Sequence, residues 1–448
     1  MAEKNNLYKY MKETDNKQTN KSKSYDKLSQ IEEFISEFCE LRFNIVSNTT
    51  EFCRKGENIF QPIDERIKAT MRLEMGRRNL SGVKTYFEDI LNSDHVPIFN
   101  PFEAYFRSLP KWQIGDRDWI SDLCSFIKVK ENSNPEERRW FAQMLRNHLL
   151  RTVSCALRKI EFNKHCFVFL GKQNDGKSFF VRWLTPPQLI DYYKENPQLD
   201  HKDSVIALSQ NLIINLDELH DMNKVDANKV KSLFSQSDTK VRHHYGKYDT
   251  LQKRYASFFG TTNDSEFLND VTGNVRWIVF EIQEILHDGG REKGYSANIP
   301  IDNVWSQAYA LVLQGHTGEL TKEEIARVEK NNLAYQKRTT EIDLIERYLT
   351  PANTKDKLAF PVTASDVTLA LNKVTNNAFR LNHVQIGKAL TFLGFQKSAV
   401  RLNGKNPTHR FFVKTNDPII SESLLSNVGY IATNIDSPPQ LEFHKPYM

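Results

Sequence analysis

At 448 residues the chain exceeds one ordinary domain and implies about two to four. Its composition, 39% apolar and 26% charged, is that of a globular protein, and without a run of about 18 apolar residues no segment should span a bilayer. A net charge of +5, from 61 Lys and Arg against 56 Asp and Glu, permits an anionic partner without requiring one, because clustering matters more than the total.

Cys39, Cys53, Cys124, Cys155 and Cys166 stand far apart with no CxxC pair, and the 12 histidines show no HExxH spacing. Structural zinc, a disulfide scaffold and a His-held catalytic metal are therefore not expected. The amino-terminal stretch lacks the apolar core of a signal peptide, so a cytoplasmic location is expected.

Residues 1–28 are rich in Lys, Asn, Ser and Thr and read as a disordered tail. Residues 29–160 read as a mostly helical domain. Ile31, Phe34, Ile35 and Phe38 recur at helical spacing, as do Val83, Tyr86, Phe87 and Ile90. A long helix over 137–160 turns Trp140, Met144, Leu145, His148, Leu149 and Val153 inward. Its arginines, Arg138, Arg139, Arg146, Arg151 and Arg158, read as a solvated surface.

From residue 161 to 338 the texture changes to α/β. Apolar runs at His165–Leu170, Asn211–Leu216, Tyr255–Thr262 and Arg276–Ile282 alternate with helical segments, the pattern of buried parallel strands. The first run leads into Gly171-Lys-Gln-Asn-Asp-Gly-Lys-Ser178 and then an apolar helix. This is a complete GxxxxGK[ST] motif between a strand and a helix, a context that a chance glycine loop would lack. Gly171 and Gly176 allow the tight turn, and the loop's N–H groups, with those of Asn174, Asp175 and Phe179, can surround a phosphate. Lys177 is expected on the β- and γ-phosphates of ATP, and Ser178 on Mg²⁺.

The run ending at Leu216 is followed by Asp217 and Glu218, 40 residues beyond Lys177. Asp217 is expected to share Mg²⁺ with Ser178 from one strand over, and Glu218 to act as general base toward water. Asn263, closing the next strand, would orient that water; the bland alternative is a turn-forming Asn. Between them Lys240, Arg242, His243, His244 and Lys247 surround Tyr245 and Gly246. A hairpin of this composition suits single-stranded DNA, and a merely solvated basic hairpin is an equal reading. Arg276, at the mouth of the last strand, is a candidate finger for a neighbouring subunit's ATP, with Arg254 its competitor.

Residues 339–416 form a third unit. Helices over 340–349, 363–372 and 382–393 precede alternating runs that flank Asn403-Gly404, a strong hairpin signal. Three helices and a two-stranded wing make a winged helix-turn-helix, with His383, Gln385, Lys388, Arg401, Lys405 and Arg410 as candidate duplex contacts; a protein-binding module is the alternative. Residues 417–448 are expected to form an irregular tail.

In this order the elements resemble superfamily III helicases, the initiator group within the AAA+ ATPases of viruses and plasmids. The wording is closer to the virulence-associated protein E family of phages and mobile elements, through Asn215-Leu-Asp-Glu-Leu219, Phe259-Gly-Thr-Thr-Asn263 and Phe267-Leu-Asn-Asp-Val-Thr-Gly-Asn-Val-Arg276. Glu40-Leu-Arg-Phe-Asn44 and Pro101-Phe-Glu-Ala-Tyr105 extend the likeness, so that it covers residues 35–315. The resemblance implies a ring-shaped, hexameric ATPase around DNA. Lys177, Ser178, Asp217, Glu218 and Asn263 would act in cis and Arg276 in trans, with the basic hairpin in the channel. No primase-like region is expected upstream, so a primase or polymerase would be a separate partner. Two other readings stay open: a site-specific DNA-binding regulatory ATPase that does not unwind, and a nucleotide-dependent defence or signalling switch.

Overall fold

The computed structural model describes residues 27–80, 84–197, 202–219, 227–241, 250–268, 274–288, 293–356, 358–400 and 406–427. The expected tail at 1–28 thus lies almost wholly outside the described residues.

A helix over 27–38 (α1) leads into β1 (Cys39–Asn44), β2 (Thr49–Arg54) and β3 (Gln61–Pro62), followed by α2 (Glu65–Arg77), α3 (Lys84–Leu91), β4 (Ile98–Phe99), α4 (Pro101–Ser108), α5 (Trp119–Cys124), β5 (Ile127–Val129) and α6 (Pro135–Ala156). The reading of this region as mostly helical missed a four-stranded sheet ordered β3-β2-β1-β4. Its nucleus is an antiparallel hairpin that pairs Cys39 with Arg54 and Asn44 with Thr49, and Asn48 in the turn takes a left-handed backbone at φ 55°. Asn tolerates that conformation where most residues do not.

Helix α6 starts where its sequence says it should. The Asn134 side chain caps the Glu136 N–H, Pro135 opens the first turn, and Glu136 and Glu137 face the positive end of the helix dipole. Every residue expected inward is buried. Two of the five arginines depart from the solvated reading: Arg146 is half-buried and ion-paired to Asp118, and Arg151 is withdrawn further. Arg151 is 3% exposed, with Nε donating to Asn163 Oδ1 at 3.0 Å and the guanidinium ion-paired to Glu319. Helical spacing turns it to the inner face, where a charge is tolerated only when paired.

The central layer follows in β6 (Cys166–Leu170), α7 (Lys177–Trp183), β7 (Tyr193–Glu195), α8 (Lys202–Gln210), β8 (Ile213–Leu216), α9 (Ala227–Phe234), β9 (Asp238–Val241), β10 (Thr250–Lys253), β11 (Ser257–Thr262), β12 (Trp277–Ile285), α10 (Tyr295–Asn298), α11 (Ile301–Leu313) and α12 (Lys322–Asn332). Six strands form one sheet ordered β5-β12-β6-β11-β8-β7. Its neighbours are parallel except β5 against β12. Strands β6, β8 and β11 are buried along their whole length, which is why they read as unbroken apolar runs.

Side-chain alternation sorts the strands between two cores. Phe167, Phe169, Ile213, Phe259, Ile278 and Phe280 join a cluster with α4, α5, α6 and α11. Cys166, Val168, Ile214, Phe258 and Val279 point the other way, toward α8 and α9. The first cluster runs from Val46 to Val328, so residues on both sides of position 160 share one core.

A separate core lies in the last unit, built from α13 (Thr340–Tyr348), β13 (Thr350–Pro351), β14 (Phe360–Val362), α14 (Ala364–Val374), α15 (His383–Phe392), β15 (Lys397–Val400), β16 (Thr408–Lys414) and α16 (Pro418–Asn427). The strands beside the expected Asn-Gly turn pair antiparallel, Val400 with Thr408 and Lys397 with Phe411, while the turn itself falls outside the described residues. Helix α16 occupies the start of the stretch expected to be an irregular tail. Ile420 and Leu424, four residues apart, are fully buried in this core, and that contact orders the helix. The whole is a mixed α/β protein. Among the described residues no helix is long and apolar enough to cross a membrane.

Candidate functional site

The site lies at the carboxyl ends of the parallel strands. Strand β6 runs into Gly171, whose N–H donates to the Thr262 carbonyl at 3.1 Å. A Cβ at Gly171 would stand 2.9 Å from the Ile282 carbonyl oxygen, so the loop leaves the sheet where only glycine fits. Gly176 closes the loop with φ +70°, and a Cβ there would fall 2.0 Å from the His287 ring. Asn174 is also left-handed, at φ 68°.

Lys177 opens α7 and is nearly buried. Its Nζ folds back on the loop, donating to the carbonyls of Gly171 at 3.0 Å and of Lys172. Burial pulls its pKa below the usual lysine value, with Asp175 and Asp217 pulling the other way. The next residue makes the decisive contact: Ser178 Oγ donates to Asp217 Oδ1 at 2.6 Å.

Asp217 was expected one strand from the loop, and the sheet corrects this. Strand β11 lies between β6 and β8, so the carboxylate reaches Ser178 across an intervening strand. That strand adds a residue missed in the sequence. Thr261 Oγ1 also donates to Asp217 Oδ1 and stands 3.3 Å from Ser178 Oγ. The available signal was a pair of threonines ending an otherwise apolar run. Glu218 follows in a left-handed conformation, φ 54°, with an exposed side chain. Such backbone is sparsely populated for a non-glycine residue and collects at functional sites. Asn263 is exposed beside Thr262. A cavity of about 280 Å³ gathers Asn174, Gly176, Lys177, Ser178, Phe179, Asp217, Glu218, Thr261 and Asn263 in its wall.

His287, on the loop after β12, was also missed, and an isolated histidine in a loop carries no sequence signal. A larger cleft of about 1400 Å³ lies between the amino-terminal sheet and edge strand β7, lined by Arg42, Tyr192 and Lys194 among others. None of the candidate catalytic or nucleotide-binding residues lines it.

The two arginines weighed as fingers are not at this site. Trp277 pairs with Cys166, at the end of β6 remote from Leu170, so Arg276 sits at the opposite edge of the sheet, roughly 13 Å away along the strand. Its guanidinium lies 3.5 Å from Ser235 Oγ, and its Nε is buried without a partner among the described residues. Arg254 is withdrawn as a candidate. It is 2% exposed and donates to the carbonyls of Ala256 at 2.8 Å, Phe234 at 2.9 Å and Asn163 at 2.7 Å, with a longer bond to Leu233. A guanidinium consumed by buried carbonyls cannot reach another subunit.

Strands β9 and β10 pair as the legs of the expected basic hairpin, with Val241 opposite Thr250. Lys240 lies on β9, whereas Arg242, His243, His244 and Lys247 lie outside the described residues. In the carboxy-terminal unit His383, Gln385 and Lys388 are exposed on α15. Arg410 is corrected: it donates to the Pro361 carbonyl at 3.1 Å and pairs with Asp366 at 3.5 Å, both partners being largely buried. Arg401 and Lys405 fall outside the described residues.

Residues 117–337 match the model of the virulence-associated protein E-like domain. No curated protein matches. Among solved structures, the apo structure of the NrS-1 C terminal region (305–718) is 13% identical over 87% of this chain and 99% of that one, with a TM-score of 0.45. Its A form is 13% identical over 84% and 96%, with a TM-score of 0.43.

Proposed function

The chain belongs to the virulence-associated protein E family through its domain at residues 117–337, and from that premise we propose that it is an ATP-driven DNA helicase or replication initiator of a phage, plasmid or integrated mobile element. One observation carries the reading: Asp217, distant in sequence, meets Lys177 and Ser178 in one cavity behind a glycine-bounded loop.

In this reading the loop from Gly171 to Ser178 surrounds the triphosphate with its N–H groups, and its two glycines let it pack against the Ile282 carbonyl and the His287 ring on the side away from the cavity. Lys177 exchanges the two loop carbonyls for β- and γ-phosphate oxygens, a change its partly desolvated ammonium favours because the new partners are charged. Ser178, Asp217 and Thr261 are hydroxyl and carboxylate oxygens, a hard donor set that suits Mg²⁺. These residues would hold Mg²⁺, whose positive charge would offset the negative charge of the phosphates. Thr261 holds the Asp217 carboxylate in place by donating to it. Glu218 takes the proton of the attacking water, and Asn263 orients that water. Arg276 acts on a neighbouring subunit's ATP, since its position at the far edge of the sheet excludes its own; this requires a ring, a hexamer in our reading.

We read the sheet as an AAA+, superfamily III-type core. The β9–β10 hairpin, from Lys240 to Lys247, grips single-stranded DNA in the channel. The last unit is a winged helix that presents α15 to duplex DNA, and a separate primase or polymerase supplies primers.

The test is ATP turnover with and without single-stranded DNA, alongside unwinding of a forked duplex. Lys177→Ala should lower DNA-stimulated turnover at least about 100-fold and abolish unwinding. Equal unwinding by both proteins would end the motor reading. Turnover indifferent to DNA would favour a nucleotide switch instead.

A further inference from the structure

We infer that His287 is a positioning residue that latches the phosphate loop in its open-cradle conformation; the inference rests on the nucleotide reading above. In a loop whose N–H groups face a phosphate, the carbonyls face away and need donors of their own. The carbonyls of Gly171 and Lys172 are met by Lys177 Nζ. The Asp175 carbonyl lies 3.2 Å from His287 Nε2. When Lys177 turns to a ligand, His287 is, among the described residues, the side chain still bonded to the loop's backbone.

In the neutral ring, the tautomer follows from the partners. A carbonyl can only accept, so Nε2 carries the hydrogen toward Asp175. Nδ1, 3.1 Å from the Tyr295 hydroxyl, is then the lone-pair nitrogen and accepts from it. Burial raises the Tyr295 pKa far above the usual phenol value, which keeps that hydroxyl a donor. The anchor is rigid. Tyr295 is fully buried, with its ring edge-on to Phe180 at 5.1 Å and Trp183 at 4.7 Å, both on the helix that the loop feeds.

Contact is as close on the loop side. The ring fills the space where a Gly176 side chain would be, and it meets Phe179 edge-on at 5.8 Å. Phe179 itself is 62% exposed and lines the cavity. His287 does not line it, so its effect passes through the loop backbone rather than through contact with a phosphate.

The experiment measures ATP binding in the presence of Mg²⁺ and steady-state hydrolysis on the full chain. His287→Ala should raise the Kd and KM for ATP about tenfold and leave kcat within about twofold. His287→Gln should recover most of the affinity, because its amide can donate to Asp175 and accept from Tyr295. Tyr295→Phe keeps the ring packing and should weaken binding about threefold, so it carries the test if the alanine variant fails to fold. Wild-type affinity in a folded His287→Ala protein would overturn the latch. So would a loss that glutamine fails to recover while Tyr295→Phe binds normally. If the wild-type chain binds ATP no better than Lys177→Ala, the nucleotide reading itself falls, and the latch with it.

Discussion

The two ends of the central sheet hold similar side chains and treat them in opposite ways. At the carboxyl end, Lys177, Ser178, Asp217 and Thr261 converge on a cavity, the last three bonded to one another and Lys177 to carbonyls of its own loop. At the amino end, Arg151, His148, Asn163 and Arg254 are buried. Asn163 ties the two arginines together: it accepts from Arg151 through Oδ1 and from Arg254 through its carbonyl, and it donates to Ser257 Oγ at 3.1 Å. Burial, with Arg151 nearby, pushes the His148 pKa down to about 3, so the imidazole is neutral there. Cationic side chains thus say little about function until their partners are known. Groups whose hydrogen bonds close inside the chain stabilise it, and groups facing a cavity are free to take a ligand.

Arg276 is the sharpest test of that division, because it stands near the amino edge yet keeps a buried Nε without a partner among the described residues. Arg276→Ala should cut DNA-stimulated turnover by about 1000-fold, read in a phosphate-release assay, while the urea midpoint stays in place. A lowered midpoint with normal turnover would assign it to the structural group. Arg254→Met should do the reverse. Leaving buried carbonyls without a donor should cost about 3 kcal/mol or more in urea unfolding, whatever the nucleotide. A variant of unchanged stability but lost hydrolysis would return Arg254 to the candidate fingers. Thr261→Val is the mildest test. It removes one donor from Asp217 in a nearly isosteric way, so turnover should fall about tenfold with the melting temperature held within a few degrees. A large drop in melting temperature would mean that the threonine belongs to the core rather than to the site.

Much of the candidate site could be read along the chain. Gly171, Gly176, Lys177 and Ser178 form a contiguous motif, and Asp217 and Asn263 each end an apolar run, so their chemistry is announced by near neighbours. Thr261 could not be weighed in the same way, since its role depends on β11 lying between β6 and β8. Nor could His287, whose meaning comes from a backbone carbonyl 112 residues away. The hairpin β1–β2 was overlooked because short polar strands lack the unbroken apolar run that marked β6, β8 and β11.

By itself the sequence determined the local grammar. Apolar runs became strands, a glycine-bounded loop followed the first of them, and capped amphipathic segments became helices, because hydrophobic period and backbone freedom act over a few residues. Only the tertiary structure decided strand order, the burial of Arg151 and Arg254, the withdrawal of Arg410 into an ion pair, and the ordering of α16 by Ile420 and Leu424. Those outcomes depend on which distant surfaces exclude water together, and an arginine bound for solvent has the same neighbours in sequence as one bound for the core.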